Sequence, residues 1–141
     1  MELTGIKSID HAPNTLNEWL NTLSRDLGLE DRHRAYMLFR TTLHAVRDWL
    51  SVDEAAQLAA QLPVLIRGIY YEGWNPSTTP AHPRKKKDFL KRVDTVFDQK
   101  PLEDTETAVS AVFRLLGAHV SSGEIDDVKN AMPKQIRKLW P

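Results

Sequence analysis

The sequence contains no cysteine among its 141 residues. Disulfides, iron–sulfur clusters, cysteine-ligated zinc and thiol nucleophiles are therefore excluded, and such a composition suits a reducing compartment. There is also no run of about 18 apolar residues that could form a transmembrane helix, and the first residues show neither the basic nor the apolar region of a secretory signal. We expect a soluble, cytoplasmic protein that does not enter a membrane.

The sequence also lacks an excess of either charge, with 19 Lys and Arg against 19 Asp and Glu. This balance argues against a protein whose main activity is to coat nucleic acid or an anionic membrane, although local patches can still carry one sign. Apolar residues at 41% and charged residues at 27% are the proportions of a chain that buries a core. We therefore expect one ordered domain over residues 1–141.

The chain repeats itself at an offset of 70 residues. Residues 17–71 align with residues 87–141 without a gap, and apolar residues coincide along the whole alignment. Only six aligned pairs are identical, so the evidence lies in the helical spacing and in a shared Ser-x-x-Glu pattern, beginning at Ser51 and Ser121 and followed by a proline. The alternative is that any two amphipathic helical segments can be aligned in this way.

Apolar residues at intervals of three and four, together with capping signals, predict four helices in each unit. Thr15 begins one capping-box pattern and Ser51 another, Gly28 is an expected helix stop, and Pro63 suits a first helical turn. The predicted helices cover about 16–27, 31–50, 52–61 and 63–71, then 84–98, 104–120, 122–131 and 133–140. The predicted fold is an all-α bundle of about eight helices, built from two pseudo-symmetric four-helix repeats joined by a connecting loop over 72–86.

Catalytic and metal-binding patterns are weak. His33 and His44 share a helix face, but eleven residues separate them by roughly 16 Å, too far for one metal ion. We expect them to be solvated or locally hydrogen-bonded. The serines stand at helix starts, where capping explains them, and no glycine loop typical of phosphate binding occurs. The sequence thus predicts no catalytic residue, metal or cofactor.

A basic segment lies at the start of the fifth predicted helix, with six cations in the nine residues 84–92. Cations at a helix N-terminus oppose the helix dipole. Phosphate binding would explain them, and so would a contact with the acidic segment 101–128 or a solvent-facing surface. We expect the first four to be exposed: Arg84, Lys85, Lys86 and Lys87.

An aromatic segment follows the fourth predicted helix. Helical phase places Ile69 and Tyr70 inward. It does not require Tyr71 or Trp74 to be buried, and neither has an aromatic counterpart in the second unit. Trp74 either folds back over the helix or presents an aromatic and acidic surface to a partner, together with Tyr71 and Glu72.

The sequence resembles the bacterial domain-of-unknown-function family numbered 2267 over residues 14–141. The Arg-Gly-Ile-Tyr-Tyr-Glu-Gly-Trp run at 67–74 is the most specific part, and the other matching segments are 27–36, 59–63 and 136–141. The resemblance implies a small bacterial helical domain and supplies no established activity, cofactor or catalytic residue.

We interpret the chain as a non-catalytic helical protein-interaction module. Nucleic-acid binding through the basic segment 84–92 and an uncharacterised enzyme are the alternatives. The candidate contact residues are Tyr71, Glu72, Trp74, Arg84, Lys85, Lys86 and Lys87.

Overall fold

A computed structural model describes residues 3–81 and 84–141; His82 and Pro83, predicted to lie in the connecting loop, fall outside the described residues. The described residues form nine α-helices and a short 3-10 turn at Pro76–Thr78, and they contain no strand. The helices are α1 (Lys7–Asp10), α2 (Ala12–Leu27), α3 (Arg32–Trp49), α4 (Val52–Ala59), α5 (Val64–Tyr71), α6 (Lys86–Val96), α7 (Thr105–His119), α8 (Ser122–Ala131) and α9 (Lys134–Arg137). The predicted all-α class is confirmed.

Helix α3 lies at the centre of the bundle, where it packs against α2, α5, α6 and α7. Its apolar stripe, which includes Leu38, Phe39, Leu43 and Val46, is fully buried. Helix α2 packs against α7, and α4 packs against α8. Because helices from both halves of the chain interleave in this way, their buried side chains belong to one hydrophobic cluster.

Serine caps begin α4 and α8, as predicted. Ser51 accepts a hydrogen bond from the Glu54 amide, and the Glu54 carboxylate accepts one from the Ser51 amide, which completes the capping box. Ser121 accepts from the Glu124 amide, but the Ser121 amide donates to Gln61 Oε1 at 2.8 Å instead. The Glu124 carboxylate therefore takes no part in the cap of α8.

The predicted cap at Thr15 is wrong, because α2 begins earlier, at Ala12. The amide of Thr15 donates to the His11 carbonyl at 3.2 Å, as a residue within the helix does. Pro13 stands in the first turn, where its missing N–H leaves no hydrogen bond unmade. Gly28 ends the helix in the left-handed conformation, with φ of 66°, as predicted.

The last helix is shorter than predicted, because α9 ends at Arg137 rather than near residue 140. Pro141 has no N–H with which to continue the helix. The carbonyl of Leu139 accepts instead from the Ser110 hydroxyl at 2.7 Å, and the Trp140 ring stacks on Phe113 with centroids 4.0 Å apart. After Arg137 the chain continues in tighter turns, with the Leu139 amide donating to the Ile136 carbonyl at 2.9 Å and the Trp140 amide to the Arg137 carbonyl at 3.2 Å, and the tertiary contacts hold this end in place.

One pair of contacts recurs in the two halves. Arg67 donates to the carbonyls of Ala59 and Leu62, each at 2.9 Å. Arg137 donates to the carbonyls at the corresponding positions 129 and 132, at 3.1 and 3.2 Å. Superposition of the two halves over their whole length stays a prediction.

Candidate interaction surfaces

A buried polar cluster joins α3 to the end of α5. Arg47, only 3% exposed, donates through Nη1 to the carbonyls of Tyr70 and Glu72, both at 2.8 Å. Its Nε and Nη2 atoms bind the two carboxylate oxygens of Asp48 at 2.8 and 3.1 Å. Since the last carbonyls of a helix have no partner within it, Arg47 acts as a side-chain cap for α5.

Asp48 holds this cluster together. Its Oδ2 atom also accepts from Arg92 Nη2 at 2.6 Å, and its backbone carbonyl accepts from the Ala81 amide at 2.6 Å. Burial opposes ionisation of the Asp48 carboxyl, but the hydrogen bonds and charges of Arg47 and Arg92 outweigh burial and lower its pKa below the usual value. Asp48 is therefore an ionised link between α3, α6 and the connecting loop.

The two histidines of α3 are locally hydrogen-bonded or exposed, as predicted. His44 is buried and donates through Nε2 to the Ile69 carbonyl at 2.7 Å. Burial lowers the pKa of His44, and the positive charges of nearby arginines lower it further, against the effect of this hydrogen bond. His33 is exposed, and within residues 3–81 and 84–141 no group of three His, Asp or Glu lies close enough to hold a metal ion.

The predicted aromatic segment folds onto the protein. Tyr71 and Trp74 are half-buried, with ring centroids 5.3 Å apart, and Trp74 packs against the core cluster. The buried Trp74 Nε1 atom has no hydrogen-bond partner among the described residues. Glu72 stays 57% exposed and pairs with Arg40 at 2.6 Å, and this hydrogen bond and charge lower the pKa of Glu72. This arrangement favours the interpretation in which Trp74 folds back.

The basic segment divides into two kinds of residue. The predicted exposure of Arg84 is wrong, because this side chain is half-buried. Its Nη2 atom donates to the carbonyls of Trp49 and Ala131, both at 2.9 Å. Lys86 is half-buried and pairs with Glu106 on α7. Exposure was predicted correctly for Lys85 and Lys87, and a groove brings the segment together with the start of α9. Its lining residues are Arg84, Lys85, Lys86, Lys87, Pro133, Lys134 and Gln135.

A second groove is apolar and lies between the start of α2 and α5. Three of its residues are large and apolar yet exposed to solvent, with exposed fractions of 51% for Val64, 44% for Ile9 and 37% for Leu65. Ile69, predicted to point inward, is only half-buried and lines this groove, because the residues that α5 buries are Ile66 and Tyr70. The apolar groove is lined by Ile9, Ala12, Pro13, Val64, Leu65, Gly68, Ile69 and Glu72.

Sequence reasoning missed the polar cluster and part of each groove. Arg47 and Asp48 interrupt the apolar stripe of α3, and two charged residues inside a buried helix were the available signal. No local signal places Lys134 beside Lys87, because the two residues are 47 positions apart in the chain.

Comparison with known protein families shows to which family the chain belongs. A family model described as Uncharacterized conserved protein (DUF2267) matches residues 16–139. The chain belongs to this family. No curated protein matches the chain significantly. None of the helices in the described part of this DUF2267 chain is long and apolar enough to cross a membrane.

The resemblance to DUF2267 depends mainly on the Arg-Gly-Ile-Tyr-Tyr-Glu-Gly-Trp run. Residues of this run make hydrogen bonds that stabilise the fold. Arg67 binds carbonyls of the preceding turn, and the Tyr70 hydroxyl donates to the Ala55 carbonyl at 2.9 Å. Burial raises the pKa of the Tyr70 hydroxyl, which therefore stays protonated and can donate. The run thus anchors α5 to α3 and α4, and it leaves Glu72 and Ile69 at the edge of the apolar groove.

Proposed function

We propose that this domain is a non-catalytic protein-interaction module, whose contact surface is the apolar groove between α2 and α5. The observation that carries the proposal is the clustering of exposed Ile9, Val64 and Leu65 in one groove. Apolar side chains that are clustered at a surface mark interaction sites more often than scattered ones. A groove between two helices suits an amphipathic helix of a partner protein.

The buried polar groups support a non-catalytic role. Asp48 and His44 could supply acid–base chemistry, but each is engaged in hydrogen bonds that hold α5 and the connecting loop. An uncharacterised enzyme stays the alternative predicted from the sequence. A cytoplasmic location, suggested by the absence of cysteine, also stays a prediction.

Val64→Glu tests the proposal, with Val52→Glu as its matched control. Both valines are the first residue of a helix and are comparably exposed, at 51% and 41%, but Val52 does not line the groove. A partner captured with the parent domain is purified and titrated into isotope-labelled domain. We expect NMR shift changes around Leu65 and Gly68, binding lost in Val64→Glu and binding retained in Val52→Glu. Equal binding by both variants, or shift changes confined to other helices, would disprove the proposal.

A further inference from the structure

We propose that Lys85, Lys87 and Lys134 form a binding site for the phosphate backbone of a nucleic acid. The site is the basic groove described above, where the start of α6 and the two residues before it meet the start of α9. It is separate from the apolar groove, since the two share no lining residue. Its failure would therefore leave the protein-interaction proposal unaffected.

The fold neutralises only part of the charge that it concentrates here. Arg84 satisfies two backbone carbonyls, and Lys86 pairs with Glu106. Lys85, Lys87 and Lys134 are exposed, and among the described residues they form no salt bridge within 4.0 Å. Three like charges at one groove repel one another and oppose the dipole of α6, so an external anion would stabilise them.

A carboxylate is present next to the groove, but it already accepts a backbone hydrogen bond. Asp88 lies in the first turn of α6, and its Oδ2 atom accepts from the Lys85 amide at 3.2 Å. Asp88 does not line the groove, and neither does any other Asp or Glu of the described residues. The groove therefore presents one sign of charge to solvent.

The lining chemistry fits a nucleic acid better than a protein. Protein interfaces are rich in aromatic residues and poor in lysine, whereas this groove is lined by four lysines and by no aromatic residue. The flexible lysines come from two chain segments, so they can follow successive phosphates of an extended polyanion. Binding through such point charges is independent of base sequence and depends strongly on salt.

The test measures fluorescence anisotropy of a labelled DNA duplex of about 20 base pairs, with salt varied from about 50 to about 200 mM. Three phosphate contacts give a logarithmic slope of about −2.7 for duplex DNA, which lowers the affinity of the parent roughly 40-fold over this range. We expect Lys85→Gln, Lys87→Gln and Lys134→Gln together to remove this component of the slope and to weaken binding at least about tenfold at the lower salt.

A control variant of equal charge change separates the groove from general electrostatics. Lys7→Gln, Arg25→Gln and Lys100→Gln alter three exposed cations that do not line the groove, and we expect this variant to keep the parental slope. Replacement of the three groove lysines by arginine should also preserve binding, because the charge remains.

Three results would overturn the inference. The first is no binding of the duplex by the parent protein at about 50 mM salt. The second is an equal loss of binding in the groove and control variants, with circular dichroism showing both folded. The third is tighter binding of polyglutamate than of the duplex, which would indicate an acidic protein as the partner.

Discussion

Arg67 and Arg137 place their guanidinium groups on equivalent carbonyl pairs, although the two arginines are 70 residues apart. In each half the side chain reaches back from a helix that follows a proline and binds the C-terminal end of the preceding helix. The carbonyls of Ala59 and Lys129 also accept from the amides of Leu62 and Met132, at 3.0 and 3.1 Å. Among the described residues, the carbonyls of Leu62 and Met132 accept only from the arginines. An arginine–carbonyl contact of the same kind thus joins α4 to α5 and α8 to α9.

This relationship predicts that Arg67→Met and Arg137→Met destabilise the domain to a similar degree. Each substitution leaves one carbonyl, that of Leu62 or Met132, without its donor, which costs about 1 to 3 kcal/mol. Urea unfolding measures the loss. Arg114→Met is the control, because Arg114 is exposed and lies 4.0 Å from its closest acidic partner, Asp26, and we expect little change. A loss confined to one of the two positions would contradict the predicted repeat.

Glu124→Gln is expected to stabilise the domain at neutral pH. Burial raises the pKa of the Glu124 carboxyl, and the nearby charges of Asp127 and Glu54 raise it further. A carboxyl whose pKa is higher in the folded state opposes folding once it ionises, so its cost is absent below the unfolded value of about 4.3 and grows as pH rises through the folded value.

Melting temperatures measured between acidic and neutral pH check this prediction. The advantage of Glu124→Gln should be present at neutral pH and should disappear in acid. Glu103→Gln is the matched control, because Glu103 is exposed and is not among the charges that raise the pKa of Glu124, and we expect no gain in stability. A neutral-pH loss in Glu124→Gln would show that its charge is stabilising.

Trp74→Ala and Trp74→Phe separate the packing of the aromatic ring from its indole N–H. We expect Trp74→Ala to lower the free energy of unfolding by about 2 to 3 kcal/mol, somewhat less than for a fully buried tryptophan, because the ring is half-buried against Tyr71 and the core. Trp74→Phe keeps a ring and removes the buried N–H that lacks a partner, so its loss should be much smaller.

Partner binding by the same variants completes this test. If Trp74→Ala leaves the urea unfolding curve unchanged and abolishes capture of the partner, Trp74 contacts the partner directly and the folding-back interpretation is wrong. Tyr36→Ala, at a half-buried aromatic residue on α3 that also packs against the core, controls for a general effect of lost stability on binding.

Local signals predicted those parts of the fold that depend on neighbouring residues. Gly28 has the left-handed conformation and Ser51 caps α4, because both features need only residues within one helical turn. The same reasoning failed at Thr15, where a capping pattern lies inside a helix that begins earlier, at Ala12. It also failed at the end of α9, where the chain leaves the α-helix for tighter turns and contacts Ser110 and Phe113.

The sequence by itself determined the helical class, most helix starts and the buried stripe of α3, because periodicity and caps act over a few residues. Only the tertiary structure decided which charged side chains bind other groups of the protein and which stay exposed to solvent. Arg84 and Lys87 are similar in the sequence, yet Arg84 binds carbonyls of α3 and α8 while Lys87 stays exposed. The physical reason is that hydrogen bonds and burial depend on where distant helices pack, which local spacing does not encode.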